Sequence, residues 1–245
     1  MIKKLYEKSE IWFAVVWIIA YVILASIGDN ISTNIGISKI VTLPVLLALS
    51  VVLFFFVKRN GLIEKYGLCK PQIFSAKMLF YFPLIVLLTA NLWYGVVLNE
   101  SPLEVLLYIL SMFCVGFLEE MIFRGFLFKA MAENDVKSAI IISSITFGIG
   151  HIVNLINGSG AELFSNLLQV IYAMSAGFLF VMIFYRTKSL LPCIFTHGIF
   201  NALSILGDEV PMTSQRQIAS CLFMVFISCS YALYLINLKD FTNDK

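Results

Sequence analysis

Eight runs of apolar residues divide this 245-residue chain, at about 11–28, 37–57, 76–98, 103–130, 137–154, 163–185, 189–207 and 217–238. Each approaches the ~20 residues that a helix needs to cross the hydrocarbon core of a bilayer. The runs are continuous, without the polar–apolar alternation of a barrel strand, so they predict spanning helices rather than a closed sheet. Only 13% of the residues are charged and 60% are hydrophobic, whereas a soluble domain carries about a quarter charged residues. The expected fold class is an all-α membrane protein. It is a polytopic bundle of about eight transmembrane helices, with residues 1–245 forming a single integral membrane domain.

Charge between the runs alternates as the positive-inside rule requires. Lys3, Lys4 and Lys8 precede the first run, and Lys58, Arg59, Lys65, Lys70 and Lys77 follow the second. Lys129 and Lys137 flank the fourth connection, Arg186 and Lys188 the sixth, and Lys239 and Lys245 end the chain. The opposite connections carry Asp29, Glu100, Glu162, Asp208 and Glu209, with Lys39 and Arg216 as their cations. Both termini are expected to be cytoplasmic. The run from Ile11 to Ile27 is longer than the 7–15 residues of a signal-peptide core, so it reads as a retained first span. The net charge of +2 and the lack of a basic cluster argue against a nucleic-acid partner.

Several residues have ordinary expectations. Pro44 and Pro83 fall inside the second and third runs and are expected to kink them. Trp12, Trp17, Tyr21, Tyr81, Trp93 and Tyr94 read as interfacial anchors, and Lys58 to Ala76 as a short amphipathic stretch at the cytoplasmic surface. The five cysteines form no CxxC pair and read as small buried hydrophobes with free thiols. Cys193 and His197 share a helix face, but only Asn201 would orient such a pair.

The costly residues are Glu119, Glu120 and Arg124, inside a run that is otherwise apolar from about Pro102 to Phe128. Each ionisable group at a helix centre costs roughly 2.5–3.5 kcal/mol, so together they cost on the order of 8 kcal/mol before pairing. Glu120 and Arg124 are four apart and can pair on one face. Glu119 is rotated by about 100° and points elsewhere. Both histidines of the chain also lie in apolar runs. His151 closes Phe147-Gly148-Ile149-Gly150-His151, and His197 opens His197-Gly198-Ile199-Phe200-Asn201. At 1.5 Å per residue, Glu119 lies roughly 15 Å from Lys129, His197 roughly 14 Å from Lys188 and His151 roughly 21 Å from Lys137. These depths let the three side chains meet. Gly116, Gly125, Gly148, Gly150 and Gly198 flank them and are expected to permit close helix approach.

Two glutamates, two histidines, an asparagine and an arginine suit water activation. Carboxylates in such different environments divide into a general base and an orienting group. Histidine and asparagine donors polarise a carbonyl and hold its oxyanion. Alternatively, His151, His197 and Glu119 form a His₂Glu zinc set with an open fourth position. Residue types and spacing leave the zinc-bound and metal-free versions both open.

Glu-Glu-x-x-x-Arg, Phe-x-x-x-His and His-x-x-x-Asn, on successive membrane helices, resemble the CPBP family of CAAX proteases and bacteriocin-processing or immunity proteins, also called Abi or Rce1-like. The resemblance covers about Glu119 to Asn201, within a core of about 103–207. It implies an intramembrane metallo- or glutamic endopeptidase, with its active site inside the bilayer and a membrane-associated peptide or protein as substrate. It makes Glu119 the water-activating base, Glu120 its neighbour and Arg124 a structural partner. His151 and His197 become catalytic residues or ligands, and Asn201 an oxyanion donor. The Ile/Lys/Asn-rich composition suggests a bacterial cell membrane, and the family offers bacteriocin processing, self-immunity or CAAX-type processing as roles. A cytoplasm-facing site would favour peptides emerging at the inner leaflet. The competing readings are a non-catalytic immunity or scaffold protein and an ion-coupled transporter, for which no inverted repeat is visible. A rhomboid-like serine protease lacks its motif, because Gly158-Ser159-Gly160 has the wrong spacing.

Overall fold

The computed structural model describes residues 2–73, 76–157, 160–207 and 213–238. Asp208, Glu209, Lys239, Lys245 and the Gly158-Ser159 pair lie outside them. The described chain is helical: α1 (Ile2–Lys8), α2 (Glu10–Ile35), α3 (Thr42–Arg59), α4 (Phe82–Leu88), α5 (Pro102–Glu119), a π-helical segment (Glu120–Phe128), α6 (Lys129–Ala132), α7 (Val136–Gly150), α8 (Leu163–Thr187), α9 (Leu191–Leu203) and α10 (Ser214–Asn237). Six helical stretches are long and apolar enough to cross a membrane: 10–35, 42–59, 102–132, 136–155, 163–187 and 214–237.

Six of the eight expected runs thus appear as long apolar helices among the described residues, and the other two as shorter apolar stretches at Ala76–Leu92 and Leu191–Leu206. The first of these is broken because Leu79, Phe80 and Tyr81 all take left-handed backbone conformations, which no α-helix can absorb. Pro44 and Pro83 do not kink spans. They lie in the first turns of α3 and α4, where the missing N–H costs nothing. The segment after Arg59 forms turns rather than an amphipathic helix, and Tyr66 within it is fully buried.

Helix boundaries follow capping chemistry. Ser101 and Glu104 form a capping box ahead of α5, with Pro102 at its first position. Ser9 caps α2 and the Asp135 carboxylate caps α7. Gly36 ends α2 with a left-handed φ of 79° that suits glycine.

Helices α5, α7, α8 and α9 pack as neighbours, with α2 and α3 against α5 and the π segment, and α10 against α8. Small residues set the closest approaches. A Cβ on Gly116 would lie 2.8 Å from the backbone nitrogen of Gly198. One on Gly148 would lie 2.2 Å from Met174 Cγ and 2.8 Å from Met174 N. Gly125 has only ordinary contacts and Gly150 faces open space, so these two do not serve the close approach expected of them.

The two ends of the bundle differ. At the end bearing Arg59, Lys129 and Arg186 the interior is solid. Phe13 stacks on Phe56 and meets Phe126 edge-on, and Tyr66 meets Phe126 with centroids 4.8 Å apart. Tyr66 Oη donates to Glu10 Oε2 at 3.0 Å, and Lys65 Nζ donates to Glu10 Oε1. Burial works against the Lys65 charge, but its bonds to Glu10 and Tyr6 outweigh that cost and raise its pKa. The other end holds a cavity of about 520 Å³.

Gly148→Ala should cost about 1–3 kcal/mol through overpacking, lowering the melting temperature of the detergent-solubilised protein by roughly 2–10 °C. Gly150→Ala, two residues away and facing open space, should leave it unchanged or slightly raised. Equal losses at both positions would show that α7 does not contact α8 through Gly148.

Candidate active site

Glu119 is the last residue of α5 and Glu120 opens the π-helical segment. The π turn is wider than an α turn, and such turns recur at functional sites. Here it carries nine consecutive residues, Glu120 to Phe128, all buried. The Glu120 side chain is wholly buried, whereas that of Glu119 is 14% exposed and lines the cavity. The two carboxylates occupy different surroundings, as the rotation between adjacent positions predicted.

Glu120 Oε1 accepts from Arg124 Nη1 at 3.1 Å and lies 2.9 Å from His197 Nδ1. An ionised carboxylate only accepts, so Nδ1 of His197 carries the hydrogen. The Arg124 guanidinium lies over the Phe147 ring at 3.9 Å, with Phe180 at 5.6 Å, and both faces add cation–π attraction. A Cβ on Gly177 would stand 3.3 Å from Arg124 Nη2, so this glycine gives the guanidinium its space. Breaking one partner from a buried pair of this kind costs about 3–5 kcal/mol.

Glu119 has a partner that the sequence did not reveal. Tyr21 Oη, on α2, donates to Glu119 Oε1 at 2.6 Å. Tyr21 and Trp17 are 8% exposed, so neither is the interfacial anchor expected from its place in an apolar run. Depth offered one signal: Tyr21 falls 11 residues after Glu10, about 16 Å along α2, too deep for an interfacial belt. Glu119 Oε2 faces His197 Nε2 at 3.6 Å. That gap is too long for a direct hydrogen bond and suits one bridging water. Glu119 Oε2, Glu120 Oε2 and the Nε and Nη2 atoms of Arg124 have no hydrogen-bond partner among the described residues.

His151 stands just past the end of α7 and lines the same cavity as Glu119. Its Nδ1 lies 3.1 Å from the Phe147 carbonyl oxygen, which fixes the hydrogen on Nδ1 and leaves Nε2 an acceptor when the ring is neutral. Asn166 Nδ2 donates to the His151 carbonyl at 2.9 Å, anchoring the end of α7 to α8. Asn201 also lines the cavity, and its carboxamide bonds to no other described residue. The Phe147 ring lies edge-on to both histidines, with centroids 5.2 Å from His151 and 5.7 Å from His197.

The structure thus brings Glu120, Arg124 and His197 into one bonded cluster, places Glu119 beside it and sets His151 and Asn201 around the adjoining cavity. Among the described residues no three His, Cys, Asp or Glu side chains come together as ligands for a metal. The ring nitrogens engaged by Glu120 and by the Phe147 carbonyl resemble second-shell bonds of metal-bound histidines. Cys193 is a buried thiol whose Sγ lies 3.4 Å from the Phe180 carbonyl, directed away from any nucleophilic role with His197.

A family model described as type II CAAX prenyl endopeptidase Rce1-like matches residues 101–203. No curated protein and no solved structure matches the chain. The matched span runs from the cap of α5 to the end of α9 and holds Glu119, Glu120, Arg124, His151, His197 and Asn201. The motifs, the helical membrane fold and this match agree: over residues 101–203 the chain is similar to the Rce1-like, CPBP-type family of intramembrane proteases.

Proposed function

We propose that the protein is an intramembrane endopeptidase that hydrolyses a peptide bond of a membrane-associated peptide or protein with water activated by Glu119. The observation that carries this reading is the division of labour between the adjacent carboxylates. Glu120 is consumed by Arg124 and His197, whereas Glu119 lines the cavity and keeps its Oε2, 3.6 Å from His197 Nε2, without a hydrogen-bond partner among the described residues.

Charge accounting supports the assignment. Two carboxylates and one guanidinium leave one surplus negative charge in a low-dielectric interior, and a single proton shared between Glu119 and His197 removes it. In the reactive arrangement Glu119 is the carboxylate and His197 the imidazolium, its Nδ1–H on Glu120 and its Nε2–H facing the carbonyl oxygen. Glu119 Oε2 takes a proton from water as the water oxygen bonds to the carbonyl carbon. His151 Nε2 accepts the other hydrogen of that water and fixes its orientation. The oxyanion that forms is held by His197 Nε2–H and the Asn201 carboxamide. Glu119 then delivers its proton to the amide nitrogen, the C–N bond breaks, and a carboxylic acid and an amine leave. Every step here uses side chains of this chain; a bound zinc would instead take His151, His197 and Glu119 as ligands and supply activation of the water. Bacteriocin maturation, self-immunity and CAAX-type processing would all use this chemistry.

Tyr21 is a positioning residue in this scheme. Its hydroxyl occupies Glu119 Oε1 and leaves Oε2 as the reacting oxygen.

Glu119→Gln and His197→Ala, each reconstituted in liposomes with a membrane-associated peptide substrate, should lose cleavage by about 10²–10⁴-fold while remaining folded. A scaffold or immunity protein that binds without cutting would keep its phenotype in both variants, and that result would overturn the hydrolase reading. Chelation should leave cleavage unchanged; loss on chelation with rescue by zinc would restore the metal reading. Tyr21→Phe should lower kcat by roughly 10–100-fold, the worth of a hydrogen bond to a charged group. Its KM should stay near that of the parent, whereas a purely structural role would lower the yield of folded protein and leave kcat per folded molecule intact.

A further inference from the structure

The cavity lies almost wholly to one side of Glu119. Along α5 its wall is Tyr108, Met112, Val115 and Glu119, one helical face running from the catalytic level towards Pro102. Along α2 the wall runs from Ile18 through Tyr21, Val22 and Ser26 to Asp29, near the end of that helix. The remaining lining comes from the beginnings of α3 and α8 and the ends of α7 and α9, including Thr42, Gln169, Val153 and Ser204. All of these lie at the end of the bundle that carries the connections 36–41, 93–101 and 156–162. No lining residue comes from the opposite connections that carry Arg59, Lys65, Lys129, Lys137 and Arg186. Between Glu119 and those cations stand Phe126, Phe128, Met121, Ile122, Leu118 and Tyr66, none more than 1% exposed.

The far end of the cavity is polar. Asp29 is answered there by Lys39 at 2.7 Å and by the Thr42 hydroxyl at 2.6 Å. The ion pair leaves no net charge in the vestibule, and the carboxamides of Asn91, Asn154, Asn157 and Gln169 complete its lining. Amides paired with a neutralised ion pair suit the donors and acceptors of an extended, uncharged peptide backbone. Helix α2 leans on α3 and the π segment while α7 leans on α8. Between α2 and the end of α7 runs the Asn30 Nδ2 bond to the Asn157 carbonyl, 3.1 Å long.

By the positive-inside rule the solid, cation-rich end is cytoplasmic. We propose that the site is entered from the extracytoplasmic side, so that its substrate is an uncharged, extended peptide segment presented at the outer leaflet. This rests on the hydrolase reading for its chemistry but not for its geometry. It replaces the expectation of a cytoplasm-facing site. Distance from the cytoplasmic cations places Glu119 and His197 in the inner half of the bilayer, but the route to them is closed on that side by aromatic packing.

The test uses cysteine accessibility in intact cells. Cys69, Cys114, Cys193, Cys221 and Cys229 are replaced by alanine or serine, and single cysteines are introduced by Ser26→Cys and Val153→Cys, on the two walls of the cavity. Arg59→Cys serves as the cation-end control. A membrane-impermeant thiol reagent should modify the Ser26→Cys and Val153→Cys proteins in intact cells, and the Arg59→Cys protein only after permeabilisation. Modification of the cavity positions only after permeabilisation, or in neither condition, would overturn the proposal. The readout is labelling, so it stands or falls apart from the cleavage assays on Glu119→Gln.

Discussion

The Glu120 carboxylate is the point on which the interior turns. It is wholly buried, and one of its oxygens holds both the Arg124 guanidinium and the His197 ring. Without Arg124, an unpaired anion would sit in a medium that cannot solvate it. Without Glu120, both the guanidinium and the imidazole would lose their anchor. The three groups come from two elements, the π-helical segment and α9, so the ion pair also ties those elements together. The aromatic faces of Phe147 and Phe180 and the gap left by Gly177 fit around the guanidinium as a matched enclosure. The neighbour, Glu119, has looser surroundings, with one bond from Tyr21 and a side chain that lines the cavity.

The bundle separates packing from access. Its cation-rich half is filled by aromatic and aliphatic side chains in edge-to-face contact, and its other half encloses the cavity. Rigid packing below the cluster fixes the positions of Glu119 and His197, while the cavity above supplies room for a substrate. A site placed at the boundary of the two halves is packed like a core on one side and borders the cavity on the other.

Much of the cluster was legible in the sequence because its logic is local or categorical. The four-residue spacing of Glu120 and Arg124 predicts their pairing, and polar residues in apolar runs are too costly to be idle. The close approaches at Gly116, Gly148 and Gly198 were legible for the same reason, whereas spacing could not tell them from Gly125 and Gly150, which face ordinary or open surroundings. What the sequence hid is tertiary. Tyr21 looks like any tyrosine in a span until α2 is placed against α5, 98 residues on. Run lengths concealed the break at Leu79 to Tyr81, because backbone conformation there leaves no mark on hydropathy.

The bond from Tyr21 to Glu119 has a consequence for biogenesis. Tyr21 lies in α2, which leaves the ribosome before Glu119 on α5, and His197 and Asn201 lie in α9, which leaves after it. The cluster is therefore incomplete until α9 has been made, and a partly inserted chain holds its carboxylates without His197 and Asn201. On the hydrolase reading proposed above, membrane insertion itself would act as the safety catch: until the late helices dock against the early ones, neighbouring nascent proteins face no finished site.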